Sequence, residues 1–292
     1  MTMRVLLATD GSEDAQAATG WLAGCALPED TAVRVLTVLT LPPAALDIPT
    51  VRDFQASLHR QGRALADGTC ASLVGRVRTV EACVEEGDPR EAIVRAAEEW
   101  PANLIVLGAR GLSGMEHLLL GSVSLGVARH APCPVLVVKG GARDHRRVLI
   151  AIDGSEPALA AARFVSRLPL GPEACVQLVG VAERPRFPST APAAATITLR
   201  AAIEDIVAER KTALGRALEA AAALFAPGGP RVERTVSVGH PADEIVRAAE
   251  DGGAGLVVVG ARGLGAIKRM LLGSVSEVVL RNVRAAVLIV RD

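Results

Sequence analysis

The sequence contains no tyrosine, two tryptophans and four phenylalanines, so aromatic residues make up 2% of its 292 positions. A surface that stacks bases on aromatic rings cannot be built from so few, which argues against single-stranded nucleic acid as a ligand. Charge of one sign is lacking too. Lys+Arg and Asp+Glu both total 32, and the formal net charge is zero. Without a cationic field there is no general attraction to nucleic acid or to an anionic membrane, and no apolar run has membrane-spanning length. Lysine is confined to Lys139, Lys211 and Lys268. None of them completes G-x4-G-K-[ST], which excludes a P-loop, and GARGLSG at 108–114 does not fit the G-x-G-x-x-G of nicotinamide dinucleotide sites. The cysteines (Cys25, Cys70, Cys83, Cys133 and Cys175) form no C-x-x-C pair and no zinc spacing with histidine, so free thiols in the cytoplasm are expected. The opening MTMRVLLATDG carries one basic residue before a strand-like run and does not read as a signal peptide.

What the chain has in quantity is apolar residues, 50% of the total, and repetition. The length suits two ordinary domains. Asp10-Gly11-Ser12 returns as Asp153-Gly154-Ser155, 143 positions on. Gly87-Asp88-Pro89 returns as Gly239-His240-Pro241, and GARGLSGMEHLLLGSVS (108–124) returns as GARGLGAIKRMLLGSVS (260–276), both 152 positions on. The second copy has therefore gained nine residues, which the Pro/Ala-rich stretch 183–197 is expected to hold as a loop. The polar, glycine-containing segment 139–146 marks the boundary, giving domains over 1–141 and 145–292.

Within each copy, continuous runs of branched apolar residues alternate with helical patterns. RVLLAT (4–9) and RVLIAI (147–152) open the copies, and PVLVVK (134–139) and AVLIVR (286–291) close them. Runs that are apolar throughout suit strands covered on both faces, as in parallel sheets. Asp88-Pro89-Arg90-Glu91 has the residues of a helix start: a cap, a proline at the first turn and a glutamate three residues after the cap. The expected fold class is α/β: two tandem doubly wound open sheets of five parallel strands with helices on both faces. The fifth strands, 134–139 and 286–291, are short and strongly apolar.

Ligands in such sheets bind beyond the carboxyl ends of the strands, where the strand order reverses. Both repeated motifs fall there. The spacing Gly108-x2-Gly111-x9-Gly121-Ser122 is kept as Gly260-x2-Gly263-x9-Gly273-Ser274. Glycines let backbone N–H groups approach an anion, and a helix starting after the last glycine would aim its N–H groups and positive dipole end at the same place. The hydroxyls of Ser122 and Ser124 add donors. The bland alternatives are that the glycines punctuate loops, that Asp10 and Asp153 only cap helices, and that Arg110 and Arg262 face solvent instead of clamping a phosphate.

With these motifs the chain resembles the universal stress protein family, in particular its tandem bacterial members of the ATP-binding branch. The resemblance implies a Rossmann-like, adenine nucleotide alpha hydrolase-like fold in each half, with the two halves paired at their fifth strands about an approximate two-fold. It also implies ATP as ligand, with Mg²⁺ carried through the phosphates and a regulatory or sensing role in stress response. Asp10 and the backbone of Val38 would contact adenine, and Gly108, Gly111, Gly121, Ser122, Val123 and Ser124 would hold ribose and phosphates. The matching positions are Asp153, Val181, Gly260, Gly263, Gly273, Ser274, Val275 and Ser276. Thr9 and Ile152 precede the two aspartates and make the pockets unequal. No base–nucleophile pair recurs in both copies: His117 falls near Lys268 and Arg269 without matching either. Expected partners are ATP, a second copy of the chain and a regulated protein, with neither nucleic acid nor membrane. A slow ATPase or nucleotidyl-transferring enzyme on the same sheet, and an interaction module without nucleotide, remain the alternatives.

Overall fold

A computed structural model describes residues 2–40, 49–112, 120–140, 145–185, 193–263 and 272–291. The first half runs β1 (Arg4–Ala8), α1 (Glu13–Gly24), β2 (Ala32–Leu39), α2 (Pro49–Leu73), β3 (Thr79–Glu86), α3 (Pro89–Glu99), β4 (Leu104–Gly108), α4 (Ser122–His130) and β5 (Val135–Val138). The second half repeats the order as β6 (Arg147–Ala151), α5 (Glu156–Ser166), β7 (Cys175–Ala182), α6 (Ala193–Ala222), β8 (Arg231–Val238), α7 (Pro241–Asp251), β9 (Leu256–Gly260), α8 (Ser274–Asn282) and β10 (Ala286–Val290). The 143-residue offset holds in space: Thr9 N donates to Leu36 O at 2.9 Å, and Ile152 N to Val179 O at 2.8 Å. Val181 is thus the positional counterpart of Val38. The stretch 183–197 is not all loop, because α6 already begins at Ala193 and runs 30 residues against 25 for α2. A run of alanines, the best helix formers, overrides the loop pattern there. His117, Lys268, Arg269 and residues 141–144 of the boundary segment lie outside the described residues.

The two expected sheets are one. The strand order is β3-β2-β1-β4-β5-β10-β9-β6-β7-β8, parallel within each half and antiparallel only where β5 meets β10. Val137 pairs with Val287, Leu136 with Leu288 and Val135 with Ile289. Leu136 and Leu288 are equivalent at the 152-residue offset, so an approximate two-fold axis passes between them. The apolar cores are continuous across this seam. On one face Leu6, Ile105 and Val135 join Val257 and Ile289 beneath α3, α4, α7 and α8. On the other, Val5, Leu7 and Leu136 join Ile150 and Leu288 beneath α1, α2, α5 and α6. Alternate residues of each strand serve opposite layers, which explains why the strands are apolar throughout. Among the described residues no helix is long and apolar enough to cross a membrane. Burial pushes the thiols of Cys25 and Cys133 up to about 11 and about 12, so neither is a ready nucleophile at neutral pH.

Gly20 in α1, Gly68 in α2 and Gly215 in α6 have nothing within 4 Å of the place a Cβ would take. Each Gly→Ala change is expected to raise stability by about 0.5–1 kcal/mol through helix propensity and a less flexible unfolded chain. Urea-unfolding midpoints of the three variants check this.

Candidate functional site

The strand order of the first half reverses between β1 and β4. A cavity of about 410 Å³ lies there, with Ala8 and Thr9 at the end of β1 and Leu107 and Gly108 at the end of β4 in its wall. Thr9, Asp10, Val38, Gly108, Arg110, Gly111, Gly121, Ser122, Val123 and Ser124 all line it, together with Leu36, Thr40, Pro89, Ile93 and Leu112. Every first-half residue assigned to the nucleotide from the sequence thus lines one cavity. The apolar side is supplied by Leu36, Val38 and Ile93, the polar side by the loop after β4 and the start of α4.

Each glycine of the motif answers a close approach within the chain itself. A Cβ on Gly108 would lie 2.5 Å from the carbonyl carbon of Asp14 and 2.6 Å from Ala15 N, because the first turn of α1 packs directly on the end of β4. A Cβ on Gly111 would lie 2.5 Å from Asp10 Oδ2. That carboxylate pins the loop: Oδ2 accepts Leu112 N at 3.0 Å and Oδ1 accepts Ser12 N at 3.0 Å. Gly11, between Asp10 and Ser12, has φ +81, the left-handed region that glycine tolerates best. Gly121 N donates to Ala109 O at 2.8 Å, drawing the far end of the loop back onto its start.

The helix that begins after Gly121 carries no side-chain cap, whereas Ser12, Asp88 and Ser155 cap α1, α3 and α5. The N–H groups of Ser122, Val123 and Ser124 and the positive end of the α4 dipole therefore stand at the cavity wall, the arrangement that receives anions elsewhere. The hydroxyls divide. Ser122 is exposed, but Ser124 is buried and its Oγ lies 2.7 Å from Ala109 O and 3.0 Å from Gly121 O. The Ser124 hydroxyl thus braces the loop, contrary to its expected use as a ligand donor; what it offers an anion is its backbone N–H.

Arg110 is not a free clamp either. Its Nε lies 2.9 Å from Asp14 Oδ2 and its Nη2 3.2 Å from Oδ1, while its backbone N donates to Oδ2 at 3.0 Å. Asp14 is 2% exposed and also accepts Gly140 N at 3.0 Å. Burial by itself would raise its pKa. The Arg110 guanidinium and the N–H groups of Gly140 and Arg110 outweigh that and hold it below the ordinary 3.8. Ser12 is the other brace: its Oγ donates to Arg110 O at 3.1 Å and accepts Ala15 N at 3.3 Å. Neither Ser12 nor Asp14 was among the sequence candidates. Asp14 had no repeat signal, since Pro157 occupies its place in the second copy.

A native carboxylate with a depressed pKa stays ionised where the unfolded chain has begun to take up its proton. The Asp14 contribution is therefore complete above about pH 4 and lost as pH falls through its lower native value. Asp14→Asn is expected to cost about 1–3 kcal/mol at pH 7 and to flatten the acid limb of the stability profile. Urea unfolding of both chains between pH 7 and pH 3 checks this, and parallel acid limbs would contradict it.

The second half repeats the geometry. Ser155 N donates to Asp153 Oδ1 at 2.9 Å, and a Cβ on Gly263 would lie 2.5 Å from Asp153 Oδ2. Gly273 N donates to Ala261 O at 2.8 Å and caps α8 without a side chain. Ser276 is buried, with Oγ 2.7 Å from Gly260 O, so its hydroxyl too is held within the loop. Ser274 and Val275 open α8 as Ser122 and Val123 open α4. Ile152 and Val181 flank the site at the ends of β6 and β7, and Arg262 follows β9 as Arg110 follows β4. Among the described residues no three or more His, Cys, Asp or Glu side chains gather into a metal site.

A duplicated sheet with a glycine-capped helix at each switch point is the class these observations define. The sequence profile of the universal stress protein family matches twice, over residues 1–139 and 145–291, and the chain belongs to this family. A Staphylococcus aureus (strain N315) protein named as a universal stress protein is 31% identical over 137 residues, 46% of this chain and 82% of that protein. A universal stress protein from Archaeoglobus fulgidus DSM 4304 matches 99% of this chain and 96% of its own, with a TM-score of 0.63 and 26% identity. A Pseudomonas aeruginosa UCBPP-PA14 chain shares the fold over 99% of this chain and 93% of its own, with a TM-score of 0.60 and 16% identity.

Proposed function

We propose that this chain is an ATP-binding universal stress protein with two nucleotide sites, acting as a nucleotide-dependent regulator or sensor in stress response. The observation that carries the reading is the first-half cavity, where an uncapped helix N-terminus and an apolar wall meet at the switch point of a parallel sheet. The parts fit a nucleotide. Val38, Leu36 and Ile93 suit the flat apolar face of a base, and the N–H groups of Ser122, Val123 and Ser124 suit phosphate oxygens. Hydrogen bonds to a charged oxygen contribute about 1.5–3 kcal/mol each, so three or four suffice to orient the phosphates. Mg²⁺ would be held by those phosphates and water. Asp10 and Arg110 keep the loop in shape, and no residue is assigned a catalytic role. Two domains, 1–141 and 145–292, each supply one site, and occupancy would bias the surface offered to a protein partner or a second chain.

Protein purified without added nucleotide, then denatured and chromatographed, should release adenine nucleotide. Calorimetric titration of the stripped chain should saturate at two ATP per chain. Saturation at one would remove the second site, and absence of binding at millimolar ATP would overturn the reading.

A further inference from the structure

The halves are tied together away from the strand seam as well. Lys139 follows β5, and its Nζ donates to Leu280 O at 2.6 Å and to Val283 O, with Arg281 O 3.4 Å away. These carbonyls end α8, the negative pole of that helix. The next residue, Gly140, donates its N–H to Asp14 Oδ1 at 3.0 Å, and Asp14 Oδ2 accepts Arg110 N at 3.0 Å. A continuous run of hydrogen bonds therefore leads from the cavity wall of the first half, through Asp14 and two consecutive backbone residues, to the C-terminus of α8. The N-terminus of that nine-residue helix carries Gly273 and Ser274 of the second loop. Burial pushes the Lys139 ammonium down to about 8 and the charge of Asp14 opposes this, so the cap is still charged at pH 7. In the other direction Arg291 donates to Ala128 O at the end of α4, but Pro157 stands where a second Asp14 would be. A further cross-link, Arg129 to Glu277 at 2.7 Å, joins α4 directly to α8.

We propose that Asp14 and Lys139 are positioning residues that couple the two nucleotide sites. An occupant that orders the loop at Arg110 fixes Asp14, Gly140 and Lys139, and so holds α8, at whose other end the second occupant binds. Ordering completed by the first ligand need not be repeated for the second, which makes the coupling positive and, by linkage, reciprocal. The inference rests on the nucleotide reading above.

The full chain is titrated with ATP at pH 7, alongside Gly121→Glu and Gly273→Glu chains that report each site alone. The product of the two stepwise constants in the unsubstituted chain should exceed the product of the two single-site constants by about five-fold or more. Lys139→Met should bring that factor to one, and Lys139→Arg, which supplies the cation found at position 291, should restore it. A purely structural lysine would lower the melting temperature in Lys139→Met and leave the factor unchanged. A factor of one in the unsubstituted chain, or the same factor in Lys139→Met, overturns the proposal. Amide exchange in the nucleotide-free chain supplies a readout that needs no ligand. In Lys139→Met, exchange at Arg110–Leu112 and at Ser274–Ser276 should quicken by about ten-fold, and in Asp14→Asn likewise. Unchanged rates at Arg110–Leu112 in Lys139→Met overturn the connection whether or not ATP binds. Quickened exchange in a chain that binds no ATP overturns the nucleotide reading alone and leaves the two loops mechanically joined.

Discussion

Gly121→Glu is expected to leave a folded chain that binds one ATP in place of two, and Gly273→Glu to do the same from the other half. Each glycine caps a helix without a side-chain hydrogen bond of its own. A glutamate there brings a carboxylate to the amides that a phosphate would use and sets like charge against it. The structural cost differs between the two. A Cβ at position 121 would come 3.1 Å from Ala109 O, tighter than ordinary contact, whereas at 273 it would be 3.4 Å from Ala261 O. Stability should fall by about 1–2 kcal/mol for Gly121→Glu and by less for Gly273→Glu. Calorimetric stoichiometry beside melting curves separates the two effects. If both variants keep two sites and only melt earlier, the glycines are loop punctuation and the cradle is lost.

Gly108→Ala should be the most damaging added methyl group among the described glycines. Its Cβ would run into the peptide group between Asp14 and Ala15: the carbonyl carbon of Asp14 at 2.5 Å, Ala15 N at 2.6 Å and Asp14 O at 2.8 Å. No rotamer change relieves a clash with backbone, so α1 must move off β4 and take the braces Ser12 and Asp14 with it. A loss of about 3 kcal/mol or more is expected, at the upper end of overpacking effects. Gly260→Ala meets Pro157 and Ala158 at 2.8 and 3.0 Å and should cost less. Urea midpoints of the two variants give the comparison. A Gly108→Ala chain as stable as the parent would show that α1 yields easily. The same geometry revises the role expected of Gly108 and Gly260: the close approach they permit is that of a helix in their own half.

The fold was legible because both faces of the strands are covered, so β1, β4, β5 and their counterparts read as unbroken branched apolar runs. The site was legible because its parts recur at fixed offsets. What repetition could not reveal is whatever occurs once. Asp14, the most buried charged group beside the cavity, is matched by Pro157 and so left no trace in the repeat. Lys139 read as the start of a polar boundary, and only the antiparallel seam brings it to the end of α8. Ser124 and Ser276 were legible as site residues, but the direction of their hydroxyls depends on where the loop carbonyls turn, which is a tertiary fact. At α6 the prolines of 185–192 suggested loop throughout, and the alanines from Ala193 onward prevailed.

The seam between β5 and β10 has a consequence for dosage. Edge strands pair between separate chains only as fast and as fully as the chains are abundant. Here both partners of the pair belong to one polypeptide, so their encounter is intramolecular and their effective concentration is set by tether length, of millimolar order for short connections. Dilution cannot part the two loops, and a few molecules per cell would hold them as closely as many thousands. The outer strands β3 and β8 alone end the described sheet, and only there does abundance decide whether another chain joins it.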